Sequence, residues 1–394
     1  MNPGFAKLQP YPFERLAKLL AQVSPPNHLT AIPLSIGEPK HPPFQAALEA
    51  HAQAFTESAG RYPSIRGSDT LRAACAGWLA RRFNIDLDAQ RMLHPVNGTR
   101  EGLFAIAQAL IDSSERSLVA MPNPFYQIYE GAALMAGAQP LYLNADAADG
   151  YLPDLSQLTP DILGRLRLFY LCSPVNPAGS VAALDYLQAL AKLAREHDFF
   201  LIVDECYIDV YRDVAPPSIL NATDSDCTNV LAFHSLSKRS NLPGLRSGFV
   251  AGDANLIEQF SRYRTYHGCS LPIATQVAST AAWADDDHVT VNRQAYNQKF
   301  AAAEELLGTT LDFTTPDAAF YLWPDIGGDD IAFCQALFAE THVTAVPGQY
   351  FARTVRGANP GAGRVRLSLV ADLEQTTEAL HRFAKFCESY FARS

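Results

Sequence analysis

One lysine of this chain sits where it could act as a nucleophile. The segment His234-Ser-Leu-Ser-Lys238-Arg-Ser-Asn-Leu-Pro-Gly-Leu-Arg246-Ser-Gly sets Lys238 among small, hydroxyl and glycine residues, with an arginine eight positions on. Only seven of the 31 basic residues are lysines, and this one follows an apolar run, Asn229-Val-Leu-Ala-Phe233. A lysine just past the end of a buried strand loses solvation, which disfavours the ammonium form and frees the amine for Schiff-base chemistry. The hydroxyls of Ser235 and Ser237, with Arg246, could hold a phosphate. The set points to a lysine carrying pyridoxal phosphate. The competing reading is a strand that runs into a polar, solvated loop.

Open parallel sheets bind ligands beyond the carboxyl ends of their strands. After the apolar run Leu168–Cys172 comes Ser173-Pro-Val-Asn176-Pro-Ala-Gly179, and after Phe199–Val203 comes Asp204-Glu-Cys-Tyr207. Asn97-Gly98-Thr99-Arg100 precedes a helical stretch, where free backbone N–H groups and a positive dipole end suit a phosphate. Asp204 could pair with a protonated pyridine nitrogen and keep the ring an electron sink. Asn176 and Tyr207 could hydrogen-bond the phenolic oxygen of the ring. Each has a plainer reading: Asp204 as a helix N-cap, Asn176-Pro as a turn, Tyr207 as half-buried core. Four such sites at successive strand ends favour the shared ring.

These residues need a scaffold that gathers strand ends. From about Leu71 the pattern alternates between helices and short apolar runs. Strands are expected at Ser117–Met121, Leu168–Cys172, Phe199–Val203, Asn229–Phe233 and Phe249–Ala251. Helices are expected at Gly102–Ile111, Ala183–Glu196 and Val289–Leu307. Such alternation predicts an α/β architecture, a mostly parallel sheet covered by helices. The proline-rich start, ending in Ile36-Gly37-Glu-Pro39-Lys-His-Pro-Pro43, reads as an arm. A domain boundary is expected near residue 286, giving a large domain over 46–285 and a second part over 286–394.

The 394 residues suffice for two domains. A formal net charge of -10 disfavours a general role on nucleic acid or anionic membranes. It leaves room for a local basic pocket that takes an acidic small molecule. The seven cysteines are widely spaced with no C-x-x-C pair, so neither a disulfide framework nor a zinc site is expected, and no metal is. The first residues lack the apolar core of a signal peptide, and no run approaches the ~20 apolar residues of a membrane helix. A cytoplasmic protein is the expectation.

Taken together, the motifs resemble the class I/II aminotransferases, pyridoxal-phosphate enzymes of fold type I. The matching pieces are Ile36-Gly37-Glu-Pro39, Tyr62 to Gly67, Asn97-Gly-Thr-Arg100, Pro124-Phe-Tyr126, Asn176-Pro-Ala-Gly179, Asp204-x-x-Tyr207, Ser235-Leu-Ser-Lys238 with Arg246, and Val365-Arg366-Leu. They run in order along nearly the whole chain. The resemblance implies a large domain with a mostly parallel seven-stranded sheet flanked by helices. It also implies a smaller α+β domain, joined by the N-terminal arm (1–45). By this likeness Lys238 binds the cofactor covalently and shuttles a proton between the substrate α-carbon and the cofactor. Asp204 binds the pyridine nitrogen, and Asn176 and Tyr207 contact the ring oxygen. Ser235, Ser237, Arg246 and the backbone at Thr99 and Arg100 hold the phosphate. Tyr126 stands where some members stack a tryptophan on the ring. Tyr62 resembles a tyrosine that reaches the phosphate of the neighbouring subunit, which implies a homodimer with shared active sites. Gly37, Asn176 and Arg366 would face the amino acid and 2-oxo acid substrates, with Arg366 clamping the α-carboxylate. Arg364 is the alternative, because residues two apart in an extended segment share a face.

Within the family, the Ser-Ile-Gly-Glu-Pro-Lys-His-Pro start and the Tyr-His267-Gly-Cys-Ser270-Leu-Pro loop are similar to bacterial succinyldiaminopimelate aminotransferases of lysine biosynthesis. That likeness implies exchange of an amino group between N-succinyl-diaminopimelate and 2-oxoglutarate, with ping-pong kinetics. Arg100, Arg239, Arg262 and Arg264 could serve the extra carboxylates or sit in ion pairs. The His267 loop would come from the partner subunit or act only as a subunit contact. The other readings are an aspartate or aromatic aminotransferase, a related β-lyase, and a non-catalytic pyridoxal-phosphate-binding regulator. The regulator would need a DNA-binding module, for which no room is left before residue 36. A Rossmann dehydrogenase fails for want of G-x-G-x-x-G after the first strand.

Overall fold

Near-continuous apolar runs build the larger sheet and are buried on both faces, as parallel strands between helices require. The computed structural model describes residues 2–115, 117–311 and 313–393. Its seven-stranded sheet runs, edge to edge, Leu93–Val96, Gly248–Gly252, Val230–Ser235, Phe200–Asp204, Leu166–Cys172, Leu118–Asn123, Gln139–Asn144. The last five are mutually parallel. Gly248–Gly252 runs against both of its neighbours, so the sheet is mixed.

Five of these strands fall where the apolar runs predict them. The two that pattern reading misses, Leu93–Val96 and Gln139–Asn144, are the two edges, and each contains a proline (Pro95, Pro140). Proline removes a ladder donor and is tolerated at a sheet edge, which blurs the apolar run there.

The expected helices appear as Thr99–Leu110, Leu184–Glu196 and Asp287–Leu307. Leu184–Glu196 buries Leu187, Leu190, Ala191 and Ala194, one stripe of a 3.6-residue period. Beyond residue 307 a three-stranded antiparallel sheet orders as Val346–Pro347, Val365–Ser368, Tyr321–Leu322. The N-terminal segment comes back to this region: Ile32–Pro33 pairs in parallel with Val343–Thr344. Ile32 and Leu34 share an apolar cluster with Leu307, Phe333, Leu337, Leu367 and Phe383. No helix among the described residues is long and apolar enough to cross a membrane.

Candidate active site

Lys238 lies on a single helical turn, Leu236–Arg239, directly after the fully buried strand Val230–Ser235. Ser235 caps that turn: its hydroxyl accepts from the Ser237 N–H at 3.1 Å. The Lys238 amine donates to the Gly37 carbonyl of the N-terminal segment. Burial is the main force on its ammonium and pulls it down from 10.5 to about 8. Cys206 and Glu38 oppose that shift, while Arg366 and Arg246 add to it. A usable share of free amine therefore exists near neutral pH.

Asp204 ends the neighbouring strand and is buried. Its Oδ2 accepts from the Tyr129 hydroxyl at 3.0 Å and its Oδ1 from the Cys206 N–H at 3.2 Å. Burial pushes its carboxyl above the usual range, opposed by these donors and by Lys238. A cation brought beside it would restore the carboxylate. Tyr129, stacked on Tyr170 at 4.7 Å, is a part of the site that sequence reading misses. Only the fold turns Tyr129 toward the strand end.

A phosphate-sized cradle lies beyond the same strand ends. Gly98 caps the helix Thr99–Leu110 at φ 83° and ψ 151°. A Cβ there would collide with the Arg246 guanidinium, which lies against this glycine. Arg246 itself is left-handed (φ 51°) and donates to the Pro243 carbonyl at 3.0 Å. Thr99, Ser235, Ser237 and Arg246 thus converge at a helix N-terminus. The acid of that first turn, Glu101, is occupied by the buried Arg264.

Lys238, Asp204, Thr99, Ser235, Ser237 and Arg246, with Gly37, Arg100, Tyr126, Asn176, Tyr207 and Arg366, line one cavity of about 440 Å³. Arg366 is buried, donating from Nη1 to Asn176 Oδ1 at 3.1 Å and from Nη2 to the Ser35 carbonyl at 2.8 Å. Its Nε has no hydrogen-bond partner among the described residues. Arg364 is not its equal: it precedes the strand Val365–Ser368 and turns to Asp325 at 3.0 Å, outside the cavity. Tyr207 shares a 2.7 Å hydroxyl contact with Tyr321. Tyr126 accepts from Arg100 Nε at 2.7 Å, and Arg100 Nη2 donates to the Tyr11 hydroxyl at 3.2 Å. Tyr11, Phe13, Glu38, Tyr321 and Phe351 also line the space. Glu38 belongs to the Ile36–Pro39 motif, while the other four come from the two chain ends with no local motif to mark them.

Two expected residues lie elsewhere. Tyr62 is fully exposed and away from this cavity. His267 is exposed at the end of the helix Ala254–His267, stacked on Tyr263.

The donor set fits pyridoxal phosphate: a lysine amine, a buried carboxyl for a cationic ring nitrogen, and an anion cradle that a Cβ at Gly98 would fill. The sequence profile of the family described as Aminotransferase class I and II matches residues 30–383. An aminotransferase from Neisseria meningitidis superposes with a TM-score of 0.94 at 40% identity, covering 99% of this chain and 100% of that one. The probable aminotransferase Rv1178 of Mycobacterium tuberculosis is 34% identical over 96% of this chain and 85% of its own. An LL-diaminopimelate aminotransferase of Dehalococcoides mccartyi is 29% identical over 98% of each. Site chemistry and likeness agree: the chain belongs to the class I and II aminotransferases, enzymes that exchange amino groups between amino and oxo acids with pyridoxal 5'-phosphate.

Proposed function

We propose that this aminotransferase exchanges the amino group of N-succinyl-LL-2,6-diaminopimelate with 2-oxoglutarate, in lysine and diaminopimelate biosynthesis. One observation carries the reading. Arg246, Arg366 and Arg100 line one cavity, and none meets a carboxylate among the described residues. Arg246 serves the phosphate and Arg366 the α-carboxylate, which leaves Arg100 for a further acid group. Arg239 and Arg264 are taken by Asp209, Asp286 and Glu101. A donor with several carboxylates suits that surplus of cation. Relatives named LL-diaminopimelate aminotransferases support the same carbon skeleton.

In this reading pyridoxal phosphate, when bound, supplies the electron sink that lets the α-carbon bond break. Asp204 holds the pyridine nitrogen, Asn176 and Tyr207 the ring oxygen, and Thr99, Ser235, Ser237 and Arg246 the phosphate. Tyr126, which lines the same cavity, would face the ring. Lys238 Nζ takes the proton from the donor α-carbon and moves it across the site. Arg366, aimed by Asn176, orients the α-carboxylate, with Gly37 beside it. The enzyme works as a cytoplasmic homodimer in which Tyr62 reaches the partner's phosphate. The chain divides into 46–285 and a smaller unit of 1–45 with 286–394.

A donor panel with 2-oxoglutarate tests the substrate. The succinylated diamine should give the highest kcat/KM, and Arg100→Gln should lower that value more than the value for glutamate. The relatives' names favour a second reading, unsuccinylated LL-diaminopimelate. A preference for that diamine, for aspartate or for phenylalanine would discard the succinylated substrate and leave the aminotransferase intact.

A further inference from the structure

Behind the cavity, outside the residues that line it, three segments of the site meet at one polar cluster. His41 lies at the end of the segment that carries Gly37, the acceptor for Lys238. Its Nδ1 is 2.7 Å from Asn292 Oδ1, and its Nε2 is 2.6 Å from Lys299 Nζ. Asn292 and Lys299 stand seven residues apart on the helix Asp287–Leu307, on one face. Asn292 Nδ2 donates to the backbone carbonyls of Lys238 (3.1 Å) and Arg239 (3.2 Å). Lys299 Nζ donates to the Leu369 carbonyl at 3.0 Å, directly after the strand that bears Arg366. Lys299 is 1% exposed.

The donors fix the protons. Asn292 spends its amide hydrogens on two carbonyls, so its oxygen faces His41, and Asn241 Nδ2 donates to that same oxygen at 3.0 Å. An acceptor on that side puts the imidazole hydrogen on Nδ1. Nε2 is left to share a proton with Lys299. Two cations so close in a buried site would be prohibitive, so the pair holds at most one charge. Burial lowers Lys299 to about 7, with Asp372 opposing. Burial likewise lowers His41, with Lys299 adding to the shift and Asn292 opposing it. Tyr296 is the other titratable neighbour, its ring 4.9 Å from Lys299 Nζ and 4.4 Å from the His41 ring.

We propose that His41 and Lys299 are positioning residues for amino transfer: as one proton-sharing unit they hold the Gly37 carbonyl, the Lys238 turn and the Arg366 strand in register. The Gly37 carbonyl stabilises the ammonium form of Lys238. With the unit broken, the 36–41 segment keeps the Lys40 N–H bond to the Val370 carbonyl but loses its side-chain anchor, the Gly37 acceptor shifts, and Lys238 becomes free amine at lower pH. A direct charge effect has the opposite sign, because removing a cation at Lys299 would make the Lys238 ammonium easier to keep. Glu38 travels with that segment and its departure acts with the same sign, while Cys206 and Arg246 lie on other segments.

The test is the pH dependence of pyridoxal phosphate uptake by the full-length apo-protein, read from the visible absorption band. Wild type, Lys299→Met, His41→Asn and the double variant are compared, with melting curves as the check on folding. Lys299→Met keeps the apolar stem without the charge. His41→Asn keeps a donor for Asn292 and loses Lys299. Both single variants should lower the uptake midpoint by about half to one pH unit, with no further drop in the double variant, as for residues acting as a unit. In the holoenzyme kcat with glutamate should fall about tenfold while KM stays within about twofold. An unchanged or raised midpoint in either single variant, or shifts that add, overturns the proposal. If Lys299→Met does not fold, the midpoint of His41→Asn decides alone.

Discussion

The Tyr129 hydroxyl donates to Asp204 Oδ2 across 3.0 Å, inside a site that strips the carboxyl of water. That donor favours the charged form of Asp204, which a cationic ring nitrogen needs. Tyr129→Phe should therefore raise the Asp204 pKa further and weaken cofactor binding. A hydrogen bond to a charged group is worth about 1.5–3 kcal/mol, so the Kd for pyridoxal phosphate should rise roughly tenfold or more. Equilibrium titration of the apo-protein measures it. An unchanged Kd would mean the hydroxyl is only a core contact.

Lys238 should show its lowered pKa directly. Only the unprotonated amine attacks a carbonyl, so cofactor uptake should climb with rising pH and reach its midpoint at about 8. Lys238→Ala should take up the cofactor without the lysine-linked absorption band and lose turnover. A yellow, active Lys238→Ala protein would overturn the assignment of the nucleophile.

The two arginines near the end of the chain should separate cleanly. Arg366→Lys gives up the planar fork and the aim set by Asn176, and kcat/KM should fall by about 10- to 100-fold, the worth of a charge-assisted pair. Arg364→Lys alters only a half-exposed pair with Asp325 and should change kcat/KM less than about twofold. Steady-state kinetics with glutamate distinguish them, and equal losses would contradict the difference in placement.

Gly98→Ala probes the phosphate cradle. The backbone there occupies a region nearly closed to other residues, at a cost of about 1–3 kcal/mol, and the new methyl would push on Arg246. Weaker cofactor binding and a lower melting temperature should appear together. Normal affinity would show that Arg246 finds its place without the glycine.

Much of the site is legible in the chain because its parts follow buried strands. The apolar runs before Asn176, Asp204 and Lys238 locate strand ends, and strand ends converge in a sheet of this kind. Proline hides both edge strands. Arg364 and Arg366 cannot be ranked by spacing, because the strand begins only at Val365 and Arg364 is free to turn toward Asp325. Tyr11, Phe13, Tyr321 and Phe351 reach the cavity through long-range folding of the chain ends, which leaves no local signature.

The edge prolines have a consequence for how copies of this molecule can meet. Pro95 and Pro140 each break the row of backbone donors along one rim of the sheet. Neither rim makes a good template for a further strand. Association is thereby steered away from ribbon-like extension of the sheet and toward side-chain surfaces on its faces and loops. The Leu93–Val96 rim is also buried along its whole length, which leaves Pro140 as the guard of the solvent-facing rim.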